Sequence, residues 1–89
     1  MSRIDAIRTR LQQALSTQDI HIRDDSHLHA GHAGAAAGGG HFSVTVVAED
    51  FRGLTPLQRH RLVYQAVGDM MPDQIHALSI QARTPDEAP

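Results

Sequence analysis

Between His27 and His41 the chain runs HLHAGHAGAAAGGGH, and this stretch constrains the fold more than any other. Apart from Leu28, the residues between its histidines are Ala and Gly. Such spacers cannot pack a core and carry little side-chain chemistry. The whole chain has only 89 residues. A domain this small buries roughly 60–65% of its unfolded surface, so nearly every helix and strand outside this stretch must contribute to a single core. The stretch itself reads as a loop of about 15 residues, a length that is uncommon in compact domains and usually functional or mobile.

The segments on either side are strongly patterned. Residues 2–16 read as a helix, with Ile4, Ile7, Leu11 and Leu15 recurring on one face of a 3.6-residue period. Ser2 can cap it, and Asp5 places negative charge in the first turn. Ile20 and Ile22 then alternate with His21 and Arg23 in a short, half-exposed strand that ends at "DDS". After the loop, "HFSVTVVA" alternates Phe42, Val44, Val46 and Ala48 with Ser43 and Thr45, the clearest strand of the chain. "EDFRGL" makes a turn. Thr55 caps a second helix, with Pro56 at its first position and Gln58 three residues after the cap. On a helical wheel Leu57, His60, Val63, Tyr64, Val67 and Met71 share one face, flanked by Arg59 and Arg61. Residues 75–82 form a third strand, and the last residues, "RTPDEAP", read as a frayed tail.

The order predicts an α+β fold, α-β-β-α-β. The long loop joins the first two strands as an antiparallel pair. The second helix bridges strands two and three, which makes those two parallel. Both helices then cover one face of a three-stranded mixed sheet. One domain over residues 1–83 and a disordered tail over 84–89 account for the chain.

Composition excludes several function classes. No run of about 18 apolar residues is present, so no membrane span is expected. "MSRIDAIRTR" is too charged for a signal peptide, and the expected location is the cytoplasm. Net charge is −2, and all eight basic residues are Arg, so the chain is no general polycation. With no Cys it has no disulfide, no catalytic thiol and no thiolate for a metal. No nucleophilic triad spacing, G-x-G-x-x-G or P-loop occurs. Asp24 and Asp25 are adjacent, so on a strand they point to opposite faces and make no paired-carboxylate site. The chain is not expected to be an enzyme.

The remaining chemistry is imidazole. His27, His29 and His32 have H-x-H and H-x-x-H spacing, and His41 comes close once the loop folds back. Neutral imidazoles are good ligands for borderline metals. A solvated loop whose histidines are incidental stays open as the plain alternative. A closed structural zinc site is disfavoured, because such sites use Cys or a fixed His spacing on ordered elements. His60, at the centre of the second helix's apolar face, reads as a satisfied core histidine. His76 shares parity with Leu78, Ile80 and Ala82 but lies at the first turn of its strand, where the core meets solvent. That position suits a ligand held by packing on one side and open on the other.

Taken in order, "DDSHLHAGH", "HFSVTVVAEDFRGLTPLQRHRLVYQAV" and "IHALSIQARTP" resemble the BolA family over nearly the whole chain, up to Pro85. The most specific pieces are Phe51-x-Gly53, Arg59-His60-Arg61-x-Val63-Tyr64 and Ile75-His76-Ala77-Leu78. The resemblance implies a fold similar to class II KH domains. It also implies a partner, a monothiol glutaredoxin of the CGFS type, with which a [2Fe–2S] cluster is shared together with glutathione. The isolated chain is expected to hold none. By resemblance His76 is one ligand, and the other comes from the loop between the first two strands. His29 matches that position most nearly, and His32 is a close alternative. Relatives often carry a Trp after "TP", where this chain reads "TPDEAP".

Some family members are described as transcriptional regulators, so a DNA partner is the second reading, through the 55–67 helix and its preceding turn. Arg52, Arg59 and Arg61 would carry it, although a solvated helix flank or a glutaredoxin contact is the favoured account of them. A homodimer of the free chain stays open.

Overall fold

The computed structural model describes residues 2–17, 19–26, 40–71 and 73–87. Helix α1 (Arg3–Ala14) is followed by strands β1 (Asp19–Asp24) and β2 (Gly40–Val47), helix α2 (Pro56–Ala66) and strand β3 (Ile75–Arg83). Short 3-10 turns, Glu49–Phe51 and Gly68–Met70, flank α2. The sheet order is β1-β2-β3, with β1 antiparallel and β3 parallel to the central β2. This is the α+β arrangement the sequence predicts.

The helix starts follow from their caps. Ser2 Oγ accepts the Asp5 N–H at 3.1 Å, which satisfies one of the orphan donors of the first turn. At α2 the box is reciprocal: Thr55 Oγ1 accepts the Gln58 N–H at 3.2 Å, and Gln58 Oε1 accepts the Thr55 N–H at 2.9 Å. Helix α1 stops at Ala14, short of the expected residue 16, and Leu15 turns extended to pack into the core at 3% exposure.

One core holds the layers together. Ile7 and Leu11 of α1, Ile20 of β1, Phe42, Val44 and Val46 of β2, Val63 and Val67 after them, and Leu78 of β3 form a single buried cluster. Phe51, fully buried, anchors the turn before α2. Among the described residues no helix covers the other face of the sheet. It is polar, with His21 and Arg23, Ser43 and Thr45, and Ser79 and Gln81 lining a shallow groove across the three strands.

The buried face of α2 differs from the expected one. Val63, Val67 and Met71 pack inward as predicted, but their further buried or partly buried companions are Leu62, Ala66 and Met70. Leu57 is 60% exposed, Tyr64 37% exposed, and His60 is exposed too. His60 is therefore not a core histidine. The stripe is rotated towards the sides of α2 that pack on α1 and β3. Tyr64 reaches that strand with its hydroxyl, which donates to Leu78 O at 3.1 Å. Arg59 Nη1 donates to Ala82 O at 3.1 Å on the same strand, and Arg8 Nη1 donates to Ile20 O at 2.7 Å on β1. Side chains thus cover carbonyls on both edge strands, which lowers their capacity to pair with another chain.

Residues 84–87, expected in a disordered tail, form a hydrogen-bonded turn. Thr84 is 2% exposed, its N–H donates to Glu87 Oε1 at 2.9 Å, and its hydroxyl donates to Asp86 Oδ1 at 2.7 Å. Among the described residues no helix is long and apolar enough to cross a membrane.

Candidate functional site

The sheet pairing reveals an irregularity at the start of β3. Gly40 pairs with Ile75, but the next residue, His41, pairs with Ala77. His76 is the extra residue between them, a β-bulge on β3. This explains why its expected parity with Leu78 fails: Ile75 and Leu78 are buried, and His76 is exposed. Bulges recur beside functional sites because they re-aim one side chain without breaking the strand.

The bulge brings His76 to His41. Their ring centroids are 5.4 Å apart, with the planes inclined at 47°. His41 is half-buried and is held by its backbone. Its carbonyl accepts the Asp25 N–H at 2.7 Å, and its N–H donates to Ser26 Oγ at 3.1 Å. Gly40 beside it allows close approach. A Cβ there would lie 2.5 Å from Phe42 Cε2 and 3.0 Å from Ser26 Oγ. Ser26 and Gly40, the described residues on either side of the 27–39 segment, lie next to His41.

The candidate ligands His29 and His32, with His27, lie outside the described residues. Of the expected ligand set, His76 is placed on an ordered strand and opens to solvent. His41, which sequence spacing groups with the loop histidines, stands on β2 instead. Its signal was parity: it shares the polar face of β2 with Ser43 and Thr45, next to the strand that carries His76. Among the described residues no group of three or more His, Asp or Glu side chains is placed to hold a metal ion.

Just outside this row the carboxylate of Asp25, a buried residue, accepts Arg23 Nε at 2.6 Å and the Ser43 hydroxyl. Asp25 is thereby compensated as a buried charge must be.

Two of the arginines expected for nucleic acid, Arg52 and Arg59, sit at the opposite end of β3. Arg52 donates to Glu49 at 2.7 Å and to Asp86 at 2.7 Å. Arg59 donates to Leu54 O at 3.0 Å, to Ala82 O, and to Glu87 at 2.6 Å. Hydrogen bonds from Thr84 and then Arg52 lower the Asp86 carboxyl to about 2. The Arg59 guanidinium, followed by the Thr84 N–H, lowers Glu87 to about 2. Arg52 and Arg59 are thus engaged by carboxylates of their own chain. Arg61 is exposed on α2 and makes no ion pair among the described residues.

Comparison with known proteins agrees with this architecture. The BolA-like protein family profile matches residues 11–87. BolA-like protein 1 of Homo sapiens is 49% identical over 80 residues, covering 90% of this chain and 56% of its own length. The chain thus spans little more than half of that relative. The chloroplastic protein BOLA1 of Arabidopsis thaliana is 38% identical over 91 residues, covering 99% of this chain and 57% of its own length. The solved BolA1 from the same plant superposes with a TM-score of 0.84 at 35% identity, over 100% of this chain and 99% of that one. The DNA-binding transcriptional regulator BolA of Vibrio cholerae is 37% identical over 83 residues, covering 93% of this chain and 76% of its own length. On the match of profile, sequence and fold, the chain belongs to the BolA-like protein family.

Proposed function

We propose that this chain is an adaptor that pairs with a monothiol glutaredoxin of the CGFS type to hold a shared [2Fe–2S] cluster, serving iron–sulfur trafficking or iron and redox sensing. The observation that carries this reading is His76, exposed at a β-bulge on an ordered strand and next to His41. The donor set fits half of such a site. The chain offers imidazoles and no thiolates, so the remaining ligands come from the glutaredoxin and glutathione. His76 supplies one ligand from this side, and His29 the other, with His32 as its alternative. Imidazole in place of thiolate on one iron raises the reduction potential of a [2Fe–2S] centre. This chain's own part is to hold one ligand on a strand and bring the second on a Gly-rich arm. It performs no catalysis, and we place it in the cytoplasm with its glutaredoxin.

Anaerobic reconstitution with and without a CGFS glutaredoxin tests this. The mixture should give a visible spectrum distinct from that of the glutaredoxin alone, and the chain by itself should give none. A stable cluster on the isolated chain contradicts the half-site.

The name of the Vibrio cholerae relative favours a second reading, a DNA-binding regulator using α2 and the turn before it. Arg61, exposed and outside the ion pairs, is then the informative residue. Its replacement by Ala should weaken duplex binding and lower the salt dependence by about one counterion per lost phosphate contact. Arg52→Ala and Arg59→Ala report instead on the internal ion pairs. Unchanged duplex titrations for Arg61→Ala at several salt concentrations remove α2 from the interface.

A further inference from the structure

We propose that His41 and His76 form a two-imidazole site for a borderline divalent cation, Zn²⁺, on the isolated chain. The proposal shares His76 with the cluster reading, but it needs no glutaredoxin and no histidine of the 27–39 segment.

The separation of the rings is the first argument. Their centroids stand 5.4 Å apart. A tetrahedral ion bonded to a nitrogen of each ring at about 2.0–2.1 Å sets the two ring centres roughly 5 Å apart. The spacing of the two ring centres is therefore compatible with chelation. The 47° tilt lies between the offset stack and the edge-to-face contact of aromatic pairs.

Backbone fixation is the second argument. His76 is displaced outward by the bulge, directly after the fully buried Ile75. His41 is pinned on both sides by Asp25 N–H and Ser26 Oγ. Both rings are thus presented from strands, the kind of support that keeps ligand geometry tight.

The donor chemistry selects the ion. Neutral imidazoles suit Zn²⁺ and its borderline neighbours, whereas Mg²⁺ and Ca²⁺ require oxygen ligands. Two protein ligands leave coordination positions open for water or a small exogenous thiolate or carboxylate.

The test is titration of Zn²⁺ into the purified full chain, followed by calorimetry and by long-range ¹H–¹⁵N spectra of the imidazoles. Wild type, His41→Ala, His76→Ala and the triple variant His27→Ala/His29→Ala/His32→Ala are compared. The wild type should show one site that shifts the ring nitrogens of His41 and His76, a readout that needs no substitution. The triple variant should keep that site, and each single variant should weaken it by about tenfold or more. Loss of the site in the triple variant overturns the proposal, as does wild-type affinity in His41→Ala. The same triple variant should lose the glutaredoxin-dependent cluster spectrum. Zn²⁺ binding without any cluster in the wild type would sink the cluster reading alone. A wild-type cluster without the Zn²⁺ site would sink this proposal alone.

Discussion

The two ends of β3 are built in opposite ways. At its C-terminal end two arginines, Arg52 and Arg59, are answered by carboxylates. Arg59 holds two backbone carbonyls and Glu87, and Arg52 joins Glu49 to Asp86. At its N-terminal end a bulge turns His76 out to solvent, next to His41 and away from the ion-pair network. Both ends are rich in the residue types that mark binding sites. The closed end is explained by its own contacts, because ion pairs and side-chain bonds to strand carbonyls tie the turn 84–87 to α2. The His76 side chain at the open end makes no hydrogen bond or ion pair among the described residues. A bulge that exposes an imidazole contributes nothing to the core, so its chemistry is the better reason for it.

The difference can be broken at several points. The largest effect should come from Phe51→Ala, which empties the fully buried anchor of the turn carrying Arg52. Denaturant unfolding should show a loss of about 3–5 kcal/mol. At the open end, Gly40→Ala should cost about 1–3 kcal/mol. Its new Cβ meets the buried ring of Phe42 at 2.5 Å, and that ring, 2% exposed, has nowhere to go. Gly68→Ala is the control. A Cβ there meets nothing within 4 Å, so stability should hold or rise by about 0.4–1 kcal/mol.

A smaller, pH-dependent effect sharpens the closed end. Asp86 and Glu87 are lowered to about 2 in the folded chain, whereas free carboxyls titrate near about 3.9 and 4.3. A lowered folded value stabilises above the unfolded one and is lost as pH falls through the folded one. The turn should therefore be intact at neutral pH and open as pH drops from about 4 towards 2. Exchange of the Thr84 amide, which donates to Glu87, reports this directly. Arg59→Ala should accelerate that exchange already at neutral pH, and His76→Ala should leave it unchanged.

Much of this architecture was legible in local pattern. Ser2 and the Thr55–Gln58 box set the helix starts, and the alternation of Phe42, Val44 and Val46 set the central strand. With the chain order, they implied the antiparallel and parallel pairings. The misreadings have a common cause, since each depended on contacts distant in sequence. The pair Val63 and Val67 fits two helical stripes, one through His60 and Tyr64 and one through Leu62 and Ala66. Only the position of α2 against β3 chooses between them. The bulge at His76 has no local signature, because an extra residue is visible only against its partner strand. The partners of Arg52 and Arg59 in the 84–87 turn lie 34 and 28 residues away in sequence, beyond any spacing rule.

The central claim is that the open end of β3 acts through His76. Visible circular dichroism of the anaerobic complex with a CGFS glutaredoxin tests it most directly, comparing wild type with His76→Ala. Thermal unfolding of the same variant serves as its folding control. Because His76 is an exposed bulge residue, its replacement should change stability by no more than about 0.5 kcal/mol. The account predicts that the mixed-ligand spectrum disappears while stability holds. An unchanged spectrum in a folded His76→Ala chain would contradict it.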